Sequence, residues 1–141
     1  MQLAPVADIR RNSRKVVANS CLERDRRDRI VVALGSVRHI PRVGDESLSR
    51  YYEYLMEHLC FPFIAHFPEP ATSQEEAEFR YTVLTLLDPS KHLGDGFDGI
   101  FSKASKEKCE INLPLIDLYL PEDCFSFQLI DDYWYWFWNW R

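Results

Sequence analysis

The stretch DDYWYWFWNWR, residues 131–141, contains all four tryptophans of the chain behind a pair of aspartates. Each buried aromatic side chain removes about 150–250 Å² of surface from water. A segment this apolar must complete a core or form an adhesive surface, and its acidic surroundings favour the core over a stacking platform. The tryptophans alternate as in a strand, yet the apolar positions of 129–137 also fit a helix. We favour a helix over 127–135, since Asp131 and Asp132 would lie near its start, where negative charge is favourable.

Upstream of this tail, the pattern is one helix followed by short strands. An apolar stripe with helical spacing runs through residues 45–60 and comprises Leu48, Tyr51, Tyr52, Leu55 and Leu59. An acidic loop is expected at 69–78, and proline, glycine and aspartate separate four strand-like segments at 63–67, 79–87, 100–104 and 109–115. This order predicts an α+β fold, with one N-terminal-side helix packed on a small, curled or barrel-like antiparallel sheet. An aromatic C-terminal helix or strand closes the domain.

Charge divides the chain into two parts. Residues 1–43 contain ten Lys/Arg against four Asp/Glu, a net charge of +6, whereas residues 44–141 contain seven against eighteen, a net charge of −11. We therefore predict a flexible basic leader over 1–43 and an acidic domain over 44–141. Two alternatives stay open for the leader: an arm for nucleic acid or another anionic surface, and docking onto the acidic body.

Several classes of protein are not expected. No window approaches 18 uninterrupted apolar residues, and no signal peptide opens the chain, so the sequence predicts a cytoplasmic monomer without a membrane span. The four cysteines and four histidines lack zinc spacing. Neither a nucleophile turn nor a phosphate-binding glycine loop is present, so no enzyme activity is predicted.

The strongest candidate site is the glycine-rich segment LGDGFDG at 93–99. Asp95 and Asp98 lie three residues apart on it, and their carboxylates can converge on one hard cation such as calcium, with backbone carbonyls as further ligands. The pattern is not that of an EF-hand, because the third loop ligand and the closing glutamate are missing. The alternative is a β-turn that uses these residues only for their backbone freedom.

A second group of carboxylates comes from the helix and the tail. Glu53 and Glu57 share one helix face, and Asp131 and Asp132 would join them if the helix and the tail pack together. We predict these four as further metal ligands. The alternative is an ordinary solvated acidic face.

The order of short motifs resembles a known family. YYEYL at 51–55, LCFPFIA at 59–65, LGD at 93–95, LPL at 113–115 and DYWYW at 132–136 are similar to motifs of the small calcium-binding proteins of the cyanobacterial CcbP type. The resemblance covers about residues 45–137 and departs from the family at Tyr135, where the family pattern has histidine. It implies an acidic, non-EF-hand domain that binds calcium through carboxylates, as a buffer or a sensor.

The predicted function is therefore binding of calcium or a similar hard divalent cation. Two alternatives are a protein-interaction module that uses the aromatic tail and a nucleic-acid adaptor that uses the leader. A protein partner fits the first alternative, whereas nucleic acid is not the expected partner of the acidic domain.

Overall fold

The computed structural model describes residues 20–36, 39–91 and 98–141. The α+β prediction is confirmed: helices and a four-stranded antiparallel sheet build the described part of the chain. In chain order the elements are α1 (Ser20–Leu34), α2 (Asp45–His58), β1 (Phe63–His66), α3 (Ser73–Glu78), β2 (Arg80–Leu86), β3 (Phe101–Lys106), β4 (Cys109–Pro114), a 3₁₀ turn (Leu115–Asp117) and α4 (Phe127–Asn139).

The sheet is an antiparallel meander in the order β1-β2-β3-β4. Its register aligns Phe63 with Val83, Val83 with Ala104, and Ala104 with Ile111. The first three of these side chains are buried, whereas Ile111 on the edge strand is exposed. The barrel-like shape is not confirmed, because β1 and β4 form opposite edges of the described sheet. Instead of closing on β4, the edge of β1 pairs with Tyr119: the His66 N–H donates to the Tyr119 carbonyl, and the Tyr119 N–H donates to the His66 carbonyl.

Helix α2 follows its sequence pattern. It begins with Asp45 and Glu46 in the first turn, where negative charge is favourable, and the Ser47 hydroxyl accepts a hydrogen bond of 2.8 Å from the backbone N–H of Gly44. Its apolar stripe is buried at Leu48, Tyr51, Leu55 and, just past the helix end, Leu59, while Tyr52 is half-buried.

The aromatic tail is helix α4, as favoured from the sequence, and it is the centre of the core. Tyr133, Trp136 and Phe137 are fully buried. The ring of Tyr51 on α2 lies 5.2 Å from that of Tyr133 and 5.1 Å from that of Trp136. The indole N–H of Trp136 donates to the carbonyl of Pro41 at 2.9 Å, so its polar atom is satisfied although its ring is buried.

Two elements differ from the sequence prediction. The acidic loop expected at 69–78 contains the short helix α3, which Thr72 caps by accepting a hydrogen bond from the N–H of Glu75. Helix α1 lies in the segment interpreted as a leader, and it packs on α2 and α4 with three buried side chains, Ile30, Ala33 and Leu34. The described part of this segment is thus docked onto the acidic body of the chain, which is one of the two alternatives given above for the leader. Residues 1–19 lie outside the described residues, and the boundary at residue 43 stays a prediction.

Candidate functional site

The end of the glycine-rich loop is clamped between α4 and the 3₁₀ turn. The backbone N–H of Ile100 donates to the phenol oxygen of Tyr133 at 2.9 Å, and its carbonyl accepts from the N–H of Leu115 at 2.9 Å. Gly99 has a φ of +67°, and a side chain there would collide with the Tyr133 hydroxyl and come within 2.7 Å of the Phe137 ring. Only glycine fits this crossing, because it needs both the left-handed conformation and the absent Cβ. The backbone next to Asp98 is therefore held rigidly.

Two carboxylates lie next to this clamp in the chain, one on each side of it. Asp98 precedes Gly99, and Asp117 ends the 3₁₀ turn that begins at Leu115; both side chains are half-buried. Burial, and secondly the negative charge of Asp98, raise the pKa of Asp117 above its ordinary value. A carboxyl that is disfavoured as an anion by both burial and a like charge is one that a bound cation would stabilise. We refer to Asp98 and Asp117 as the loop pair.

Asp117 was not among the predicted ligands. Residues 98 and 117 are separated by two strands, and only the β3–β4 hairpin brings the two ends together. The available signal was the motif LPL at 113–115, which ends a strand just before this aspartate. Asp95, the other predicted loop ligand, lies outside the described residues.

Glu53 and Glu57 lie on the exposed face of α2, as the helical period requires. Together with Tyr54 they line one side of a surface cleft of about 260 Å³, whose other wall is the C-terminal end of α1. The Glu57 carboxylate lies 3.9 Å from the imidazole of His58, which also stacks on the Tyr54 ring.

Asp131 and Asp132 are buried in the first half of α4, at 6% and 4% exposure. Both bind guanidinium groups of α1: Arg26 reaches Asp131 at 3.1 Å, and Arg29 reaches Asp132 at 2.6 Å. Burial and the charge of Asp132 raise the pKa of the neighbouring Tyr51 phenol, and the hydrogen bond to Asp132 raises that of Arg29. In this structure the positive charges that neutralise Asp131 and Asp132 are therefore those of arginine side chains.

The predicted ligands therefore fall into three places: the loop end, the face of α2 and the α1–α4 contact. Within residues 20–36, 39–91 and 98–141, no group of three or more His, Cys, Asp or Glu side chains is arranged to hold a metal ion. Of the three places, the loop pair fits a hard cation best. Asp98 lies two residues from backbone that is hydrogen-bonded to the core, burial and the charge of Asp98 raise the pKa of Asp117, and both carboxylates are oxygen donors of the kind that calcium prefers. Calcium takes six to eight oxygens, so two carboxylates leave room for backbone carbonyls, waters and a further side chain.

Comparison with known proteins points in the same direction. A family model named Calci_bind_CcbP and described as calcium binding matches residues 42–137, which is more than half of the chain. Comparison with curated proteins and with solved structures found no match. Across the described residues, no helix is long and apolar enough to cross a membrane.

Proposed function

Because the chain belongs to the CcbP-type family of calcium-binding proteins, we propose that it binds calcium at the end of the glycine-rich loop, with Asp98 and Asp117 as ligands. Asp95, which the loop pattern supplies three residues before Asp98, is the third proposed carboxylate. The observation that supports this choice is the raised pKa of Asp117, whose causes are burial and the nearby charge of Asp98. A divalent cation between the two groups would turn that repulsion into coordination.

The mounting of the loop pair favours a rigid site. Asp98 is joined through Gly99 to Ile100, which is hydrogen-bonded to both α4 and the 3₁₀ turn. A ligand carried on backbone that is already ordered avoids part of the ordering cost of binding. The bound ion would in turn connect the loop to the core helix that contains three of the four tryptophans, with Trp140 just past its end.

That connection bears on whether the protein acts as a buffer or a sensor. A buffer binds calcium with little structural response, whereas a sensor passes the change on to another surface. The Tyr133 hydroxyl touches the loop backbone, and Tyr133 packs on Trp136 at a ring distance of 5.9 Å. We propose a sensor-like response in α4, which would appear as a calcium-dependent change in tryptophan fluorescence.

Glu53 and Glu57 remain proposed ligands of a second, weaker site. They are exposed, and a site built from exposed carboxylates on one helix face is open to solvent and to screening by salt. We expect their substitution by glutamine to leave the tightest calcium-binding event unchanged.

The proposal is tested by calorimetric calcium titration of the Asp98→Asn variant. Loss of one charged ligand should weaken the tightest site about tenfold or more, since ligand charge sets calcium affinity. The matched control is Asp123→Asn, which removes the same charge from an exposed position before α4. Equal affinities for Asp98→Asn and the unaltered protein would refute the proposed site.

A further inference from the structure

Helix α1 lies outside the family match, yet it covers a pair of carboxylates inside it. The match begins at residue 42, whereas α1 spans Ser20–Leu34. Its arginines bind Asp131 and Asp132 on α4. The chain thus brings its own cationic group to an acidic site of the calcium-binding domain.

The geometry of this contact is that of a built cation site. The guanidinium of Arg29 binds both oxygens of Asp132, with Nε 2.6 Å from Oδ2 and Nη2 3.1 Å from Oδ1. Arg26 bridges the two aspartates: its Nη2 lies 3.1 Å from Oδ2 of Asp131, and its Nε lies 3.5 Å from Oδ1 of Asp132. The Arg26 guanidinium also lies 4.6 Å from the centre of the Tyr135 ring. Four charged groups therefore form one compact cluster.

The carboxylates lie on the inside of this cluster and the cations on the outside. The side chains of Asp131 and Asp132 are 8% and 5% exposed, against 22% and 35% for Arg26 and Arg29. Adjacent buried carboxylates require a counter-charge, because an uncompensated buried charge is strongly destabilising. A competing cation can approach from the side where the guanidinium groups are in contact with water.

Helix α1 is held by two different means along its length. Its last turns are anchored by burial of Ile30, Ala33 and Leu34. Among the described side chains that precede Ile30, none is buried. The ion pairs of Arg26 and Arg29 with α4 hold this half, together with an exposed contact of the Arg27 guanidinium 5.2 Å from the centre of the Trp140 ring. Loss of the ion pairs would therefore free the N-terminal half of α1 while its C-terminal half stays docked.

We propose that α1 is a displaceable cap, whose Arg26 and Arg29 occupy Asp131 and Asp132 in place of a metal ion, so that calcium and docked α1 exclude each other at this site. The same carboxylate oxygens cannot bind both partners at once, and by linkage each partner weakens the other by the same factor. The inference rests on the proposed function only in that the competing ion is calcium.

The test compares two variants of the full chain that lose the same charge from the same helix. Replacing Arg26 and Arg29 together by methionine opens the site, whereas replacing the exposed Arg24 and Arg27 by methionine does not. Calorimetric titration should show one additional calcium ion per chain in the first variant and none in the second. Adding Asp131→Asn and Asp132→Asn to the first variant should remove the gained ion. A folded Arg26→Met, Arg29→Met protein that binds no additional calcium would overturn the proposal.

A second variant and a second measurement cover the case in which the methionine variant does not fold. Lysine at both positions keeps the charge but loses the bidentate hydrogen bonding of the guanidinium group. The contact between α1 and the aspartates should therefore weaken, and the additional ion should bind at higher calcium concentrations than in the methionine variant. In the unaltered protein, amide hydrogen exchange at residues 24–29 should speed up as calcium rises, while residues 30–34 stay protected. Unchanged stoichiometry in the lysine variant together with unchanged exchange would contradict the cap.

The two proposals fail separately. Asp98→Asn should weaken the loop site and leave the ion gained by the methionine variant in place. If the cap proposal is wrong, the methionine variant gains no calcium ion, but calcium still binds at the loop pair. If the loop-site proposal is wrong, Asp98→Asn does not change calcium affinity, but the methionine variant still gains an ion at Asp131 and Asp132.

Discussion

At Asp117, protein stability favours the neutral carboxyl group, whereas calcium binding favours the carboxylate anion. Burial and the charge of Asp98 raise the pKa of this carboxyl in the folded protein. For a group with a raised folded pKa, the stabilising contribution is complete below the unfolded pKa and is lost as pH rises through the folded pKa. The ionised Asp117 therefore destabilises the calcium-free protein at neutral pH.

Asp117→Asn should accordingly stabilise the calcium-free protein at neutral pH and weaken calcium binding about tenfold or more. Urea unfolding with and without calcium measures both effects. The gain in stability should shrink as the pH is lowered below the ordinary range of a carboxyl group, because Asp117 is then neutral in both states. Asp123→Asn, the exposed control, should change neither quantity. A destabilised Asp117→Asn protein at neutral pH would contradict the interpretation of this group.

Gly99 is the residue whose missing side chain permits the clamp. Gly99→Ala would place a methyl group against Tyr133 and Phe137 at a φ of +67°. We expect a loss of about 2–4 kcal/mol in unfolding free energy, from left-handed strain and overpacking together. Gly44→Ala is the control, since no atom lies within 4 Å of the added Cβ there, and its cost should stay below about 1 kcal/mol. Similar losses for the two variants would argue against the close crossing at Gly99.

At the scale of elements, α4 holds the loop through one hydrogen bond. Tyr133→Phe keeps the ring but removes the acceptor of the buried Ile100 N–H, which should cost about 1–3 kcal/mol of stability. It should also reduce the tryptophan fluorescence response to calcium, because loop and helix are then linked by packing alone. Tyr54→Phe, on the half-buried side of α2, should change the unfolding free energy by less than about 0.5 kcal/mol. An unaltered response in Tyr133→Phe would show that the coupling takes another route.

The sequence predicted those elements whose signal is local. Helix α2 and the helical form of α4 follow from apolar periodicity, and all four strands are bounded within two residues of the predicted segments because turn residues flank them. Helix α3 was missed although its N-terminus is capped: the Thr72 hydroxyl accepts from the Glu75 N–H, and the Glu75 carboxylate accepts from the Ala71 N–H. A helix of six residues is too short for its apolar periodicity to be recognised. The curvature of the sheet depends on strand pairing across the whole domain, which composition does not encode.

In the candidate site, too, only the residues with a local sequence signal were predicted. Asp98 was predicted from a glycine-rich pattern within its own loop. Asp117 could not be, because its neighbour in space is 19 positions away and the pair forms only after β3 and β4 align. The partners of Asp131 and Asp132 are more distant still, about a hundred positions towards the N-terminus. Charge asymmetry indicated that docking was favourable, but not which arginines would bind.

At the scale of the whole molecule, the aromatic tail is the core on which every other feature is built. Helix α4 packs on α2, contacts the loop through Tyr133 and binds α1 through its aspartates. Just past its end, the Trp140 carbonyl accepts a hydrogen bond from the Val43 N–H. A change in the loop or in α1 therefore reaches the tryptophans directly. Helix α4 is thus both the structural centre and a natural optical reporter.

The pH dependence of calcium binding follows from the raised pKa of Asp117. Protons compete with calcium for this carboxylate, so calcium affinity should fall as the solution is acidified, beginning at a higher pH than for a carboxyl of ordinary pKa. Calorimetric titrations from neutral to mildly acidic pH measure the slope. Asp117→Asn should flatten it, and an equally steep slope in that variant would assign the competing proton to another group.

The most direct test of the central claim is a calcium titration followed by amide NMR. The account predicts saturable shifts at Gly99, Ile100 and Leu115, the backbone that holds the loop pair, together with a change in the indole signal of Trp136. Asp98→Asn should abolish these shifts at the same calcium concentrations, and Asp123→Asn should preserve them. If millimolar calcium leaves the amides of residues 98–100 and 115–117 unmoved, calcium does not bind at the loop pair and the proposed site is wrong.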